Sequence, residues 1–136
     1  TMLGLEPRII AHDKNVSKDK ILSSQAMVEF YHEIDYYLCT SWHEGTPNPA
    51  LEAAACGVPL VSTRVGNMPD LIRDGENGFL VQPNVQAIVE TFKKIRRLDC
   101  AVYAEMCECI RKDIVDEWTW ERNMTNYRSA FDRLLA

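Results

Sequence analysis

The fold turns on the stretch Ser41-Trp42-His43-Glu44-Gly45-Thr46-Pro47-Asn48-Pro49-Ala50-Leu51-Glu52-Ala53-Ala54-Ala55-Cys56-Gly57. It leaves the apolar run Tyr36-Tyr37-Leu38-Cys39, loops, and starts a helix. Asn48 is a good N-cap, and Pro49 suits the first helical position, where a missing N–H is no loss. Ala50 to Cys56 are mostly strong helix formers, and Gly57 is a natural stop. The stretch therefore reads strand, loop, helix, with free backbone N–H groups and the positive dipole end facing the loop. Such an arrangement attracts phosphate. Two carboxylates bracket it, Glu44 in the loop and Glu52 one turn into the helix. Carboxylates repel phosphate, so two beside an anion site imply a ligand that also carries hydroxyls, such as a nucleotide sugar.

Outward from this stretch, short apolar runs alternate with helical periods. Downstream, Pro59 to Thr63 reads as a short buried strand, Gly66-Asn67 as a turn and Met68 to Arg73 as a short helix. Asp74 to Gly78 is a turn cluster, and Phe79 to Val81 is the last strand. Upstream, Asp35 to Thr40 reads as a strand buried on both faces. Ala26 to Glu33 is helical, with Met27, Phe30, Tyr31 and Ile34 at the helical period. His12 to Gln25 is polar and reads as a loop, and Pro7 to Ala11 as a strand. The alternation predicts an α/β fold, a doubly wound parallel sheet of Rossmann-like type. Its ligand site belongs at the carboxyl ends of the strands, where Ser41 to Asn48 falls.

The remainder is a helical segment. Asn84 caps a helix to about Leu98 with Ile88, Phe92 and Ile95 on one face. A second helix covers about Ala101 to Glu117. A third starts at Thr119 as N-cap and lines up Trp120, Met124, Tyr127, Phe131 and Leu134, a stripe expected to be core.

The 136 residues fit one domain, 1–136. A formal net charge of −5 without a basic stripe excludes nucleic acid as a partner. No apolar run is long enough for a direct membrane span. The start lacks a signal-peptide pattern. Five cysteines without metal-type spacing read as reduced thiols. Together these lead to the expectation of a cytoplasmic protein with no metal and no cofactor. Asn123-Met124-Thr125 fits a glycan acceptor pattern that only a secreted chain could use.

Glu44, seven residues, Glu52, then Ala-x-x-Cys-Gly-Val-Pro-Leu-Val, with Gly66, Asp74-Gly75 and Gly78-Phe79-Leu80-Val81, resembles the family 4 (group 1) glycosyltransferases of the GT-B fold. The likeness is good over Met27 to Pro83, looser in the helical tail 84–136 and poor in residues 1–26. It implies the C-terminal, nucleotide-sugar-binding half of a retaining, metal-independent hexosyltransferase, inactive as an isolated chain. The implied donor is a UDP- or GDP-sugar. The implied acceptor, a glycan, lipid or other molecule, is bound by an N-terminal domain absent here. Glu52 would hold the ribose hydroxyls. Glu44 would hold the transferred sugar and is the catalytic candidate. Gly45, Thr46 and Asn48 would present backbone N–H groups to the diphosphate and sugar, and His43 is a further donor-binding candidate. The Trp120-Glu121 opening resembles the family's terminal helix, which packs back across the two-domain cleft.

Plainer roles stand beside these. Glu52 could compensate the helix dipole, although a capping box wants its acid at the third helical position, here Leu51. Glu44 could be a solvated loop acid. Gly45 allows close approach or positive φ, or is a plain turn glycine. Ser41 either ends the strand or touches the sugar. The family's domain has about two more strands before Pro7, which would lie between Pro7–Ala11 and Asp35–Thr40, and a basic pair for the diphosphate. Neither is recognisable, so the chain reads as a fragment, as one subunit of the enzyme, or as a domain whose first 26 residues serve another role. Lys14, Lys18 and Lys20 are within reach of a phosphate or simply solvated. The alternatives from other classes are a non-catalytic nucleotide-sugar-binding module and a structural scaffold.

Overall fold

The computed structural model describes residues 23–135. The expected strand at Pro7–Ala11, His12, and the lysines Lys14, Lys18 and Lys20 lie outside the described residues. In chain order the elements are α1 (Ser24–His32), β1 (Tyr37–Cys39), α2 (Asn48–Ala55), β2 (Leu60–Thr63), α3 (Met68–Leu71), β3 (Gly78–Val81), α4 (Val85–Ile95), α5 (Cys100–Glu117) and α6 (Trp120–Leu135). The strands pair in parallel in the order β1-β2-β3, with Leu38 opposite Val61 and Val61 opposite Phe79. Parallel neighbours need a crossover, and α2 and α3 supply it. This is the doubly wound, Rossmann-like α/β arrangement that the alternation of runs predicts.

Successive strand residues face opposite sides, so the sheet divides the core in two. Cys39 and Leu60 point to one side, against Tyr31 of α1, Ala50, Ala53 and Ala54 of α2, and Ile110 and Ile114 of α5. Val61, Phe79 and Val81 point to the other, against Met106 of α5 and the half-buried Ile88 and Ile95. Helix α5 thus seals both halves. The inward face of α2 is alanine, which lets its backbone lie close to the sheet. Gly57 ends α2 at φ +80°, a conformation L side chains rarely adopt.

The turn before β3 is tied to α5 through Asn77, whose side chain is buried. Its Oδ1 accepts the Arg73 N–H at 2.8 Å. Its Nδ2 donates to the Leu71 carbonyl at 3.0 Å and to Asp113 Oδ2 at 2.7 Å. Arg73 pairs with the same Asp113 at 2.7 Å and with Glu76 at 2.9 Å. A buried amide with all these partners costs little to desolvate.

Three expectations need correction. Helix α1 starts at Ser24, so the polar stretch does not run as loop through Gln25; Ser23 caps it, accepting the Ala26 N–H at 3.2 Å. Strand β1 is not buried on both faces. Leu38 is 43% exposed, because α4 packs against β3 rather than under β1. The largest departure is α6, which buries no residue. Trp120, Met124, Tyr127, Phe131 and Leu134 are 55–81% exposed. Helical periodicity reports that one face is apolar, not that a surface covers it. The caps behave as read: Asn84 Oδ1 accepts the Ala87 N–H at 2.8 Å, and Thr119 Oγ1 the Arg122 N–H at 3.3 Å.

Leu60→Ala should cost about 2–5 kcal/mol, since it empties a fully buried site between sheet and helices. Phe131→Ala should change stability by less than about 0.5 kcal/mol. Urea unfolding of both variants checks the pair; equal losses would mean that the α6 stripe is packed in solution.

Candidate functional site

Parallel strands end at one edge, so the loops after β1 and β2 meet there. The buried Thr63 hydroxyl donates to the Ser41 carbonyl at 2.6 Å. Gly66, at φ +50°, lies against the next part of the same loop, and a Cβ there would run into the Gly45 carbonyl oxygen. From this pinned loop the Ser41 hydroxyl donates to Glu44 Oε1 at 2.7 Å. From α1 the Tyr31 hydroxyl donates to Glu52 Oε2 at 2.9 Å. Each acid therefore has one oxygen engaged by a hydroxyl. The second oxygen of each has no partner among the described residues.

The two acids share a neighbour in Tyr37. Burial raises its phenol above the ordinary value, and the charges of Cys39, Glu44 and Glu52 raise it further. Tyr31 is pushed up more strongly, by burial first and then by its bond to Glu52, so it remains a protonated donor across the neutral range. Both carboxylates are exposed.

The start of α2 differs from its expected form. Asn48 is the first helical residue, not the cap; Pro47 holds the cap position and no side chain caps the helix. The Asn48 N–H turns back to the Thr46 carbonyl at 2.9 Å, which draws Asn48 into the first turn. The Ala50 N–H is taken by the Pro47 carbonyl at 2.9 Å, and Pro49 has none. The helix start thus offers fewer free amides than a typical N-terminus. The N–H groups of Gly45 and Thr46 donate to no described residue.

Gly45 itself has neither positive φ nor a crowded Cα; a Cβ there would meet nothing within 4 Å. The glycine the loop requires is Gly66, on the facing loop. His43 and Thr46 are exposed on the same loop as Glu44, and Asn48 is exposed at the first position of α2. Beside Gly66, Asn67 Oδ1 is buried with no partner among the described residues. All five cysteines are unpaired.

The sequence alone gives Tyr31 and Thr63 no place at the site, and Gly66 only that of a turn and motif residue. Tyr31 was one apolar position in a helical period. The signal available was its hydroxyl, which on a buried face must find an acceptor. Thr63 ends an apolar strand, where a buried hydroxyl raises the same question.

Residues 4–97 match the family described as Glycosyl transferases group 1. A D-inositol 3-phosphate glycosyltransferase from Acidothermus cellulolyticus is 44% identical over 55 residues, 40% of this chain and 12% of that protein. The C-terminal domain of a glycosyl transferase group 1 family protein (LpcC) from Francisella tularensis superposes with TM-score 0.64 at 27% identity, covering 74% of this chain and 52% of that one. A glycosyltransferase from Rickettsia africae shares the fold with TM-score 0.71 at 17% identity, covering 81% and 30%. The chain spans 12–31% of the length of the curated relatives it matches. Since the family match extends over more than half of its residues, the chain belongs to the group 1 glycosyl transferases.

Proposed function

We propose that residues 1–136 form one domain, the C-terminal donor-binding half of a family 4 glycosyltransferase. Its donor is a UDP- or GDP-sugar, and transfer to a glycan, lipid or other acceptor proceeds with retention. The observation that carries this reading is the pair Glu44 and Glu52 at the carboxyl edge of the sheet. Each is oriented by one hydroxyl and has a second oxygen with no partner among the described residues. Glu52 accepts from the ribose hydroxyls, and Glu44 from hydroxyls of the transferred sugar. The Gly45 and Thr46 N–H groups face the diphosphate, with the exposed side chains of Asn48 and His43 and the half-buried Ser41 around the sugar. Arg64, exposed and without an ion pair among the described residues, follows Thr63 at the same edge and adds positive charge there.

In this reading the leaving diphosphate is stabilised by fixed amides and basic groups, a form of electrostatic preorganisation, and incoming acceptor attacks from the face the diphosphate leaves. The acceptor comes from an N-terminal domain. The exposed stripe of α6, opened by Trp120, is the surface that domain covers. Such an enzyme works at the cytoplasmic side of its pathway, where nucleotide sugars are made. No described helix is long and apolar enough to cross a membrane. The 136-residue chain alone should therefore bind donor and show no multiple turnover with any acceptor; sustained transfer by the purified chain would contradict the division of labour.

Gly45→Val tests the phosphate assignment. The new side chain meets no protein atom near its Cβ, so the fold should persist while the diphosphate is blocked. A folded variant with unchanged affinity for UDP and GDP would remove Gly45 from the site.

The two acids separate by ligand. Glu52→Ala should weaken free nucleoside diphosphate and nucleotide sugar alike, by about ten- to a hundredfold, the worth of hydrogen bonds to a charged group. Glu44→Ala should spare the free diphosphate and weaken only the nucleotide sugar. Calorimetry of both variants with both ligands checks this; identical effects, or none, would leave the paired acids without these roles.

A further inference from the structure

Tyr31 lies on α1, outside the loop and helix that carry the donor site, yet its hydroxyl reaches Glu52 Oε2 at 2.9 Å. Its ring is 2% exposed. Phe30 lies edge-on at 5.5 Å and Tyr37 at 6.4 Å, measured between ring centroids. The phenol is thus clamped, and its hydroxyl has one direction to point. Glu52 is in the opposite situation. It is exposed on a helix, with three rotatable bonds and no other partner among the described residues.

A carboxylate that must accept from two adjacent ribose hydroxyls has to be held in one rotamer, and solvent does not hold it. A neutral donor engages one oxygen without adding the charge that would compete with phosphate recognition. A lysine or arginine in the same place would offset the charge of the acid, and an arginine could tie up both oxygens.

We propose that Tyr31 is the positioning residue for ribose recognition: it fixes Glu52 through Oε2 and leaves Oε1 directed to the nucleotide. This rests on the reading of Glu52 as the ribose ligand given above. The alternative is that the bond only satisfies a buried phenol while joining α1 to α2. The two differ in what the ligand notices.

The test uses the 136-residue chain, with Tyr31→Phe, which keeps the ring and its packing, and Glu52→Ala. The probes are UDP and GDP, each with its 2′,3′-dideoxy counterpart, measured by calorimetry. Tyr31→Phe should weaken the ribonucleotide that binds by about fivefold, the share of one hydrogen bond, and leave the dideoxy form unchanged. Loss of both forms by the same factor, or of neither, overturns the positioning role, since a packing defect cannot distinguish the ribose hydroxyls. If Glu52→Ala weakens the ribonucleotide selectively and Tyr31→Phe does not, the positioning role fails and the ribose assignment stands. If Glu52→Ala fails to separate ribose from dideoxyribose, or the unaltered chain binds neither UDP nor GDP, both fall.

Discussion

The hydroxyl of Thr63 donates to the carbonyl of Ser41 across the edge of the sheet, and the site's geometry depends on that contact. Strand ends in a parallel sheet are brought level by the ladder, but the loops that follow are free to diverge. A buried hydroxyl at the last position of β2 captures the carbonyl of Ser41, two residues beyond β1. Gly66 then lets the second loop lie against the first without a side chain between them. With both restraints in place Ser41 is oriented towards Glu44, and the loop enters α2 through Pro47. A buried threonine whose acceptor is withdrawn would be left unsatisfied, which costs more than the bond gains. The restraint therefore acts in both directions, on the loop and on the strand.

The same edge collects two like charges, and that arrangement has an electrostatic cost. Neither acid is offset by a described basic partner; each meets a neutral hydroxyl instead. Exposure keeps the repulsion small, because water screens it. The acids stay available to hydrogen-bond donors. The other charge network, Arg73 with Asp113 and Glu76, is fully paired within the protein and serves the turn before β3.

The parts of the fold readable in the sequence were those governed by local chemistry. Gly57 stops α2 and Asn84 caps α4, because a positive φ and an orphan amide each demand a particular residue. The apolar runs around Leu60 and Phe79 read as strands because both flanks carry turn residues. What escaped depends on partners distant in sequence. Asn48 looked like a cap, but the choice between Pro47 and Asn48 lies in how Thr46 folds back. Gly45 reads as a glycine for close approach or as a plain turn glycine, whereas the crowding falls on Gly66. Tyr31 meets Glu52 only after α1 and α2 dock on the same side of β1, and no local pattern encodes that. The α6 stripe was misread for the opposite reason: its pattern was clear, and the surface that would bury it does not follow from the pattern.

That helix also bears on how the chain melts. A sixteen-residue helix that buries nothing has little beyond its own propensity and capping to sustain it, and at that length helices in water are marginal. The sheet, by contrast, is bound into two packed half-cores by α5. Helix content and core packing therefore need not be lost together on heating. Circular dichroism and tryptophan fluorescence would follow different species, with Trp120 on the helix and Trp118 half-buried at its root. A single unfolding free energy describes the sheet and its packed helices; it is not a property of the whole chain until something covers α6.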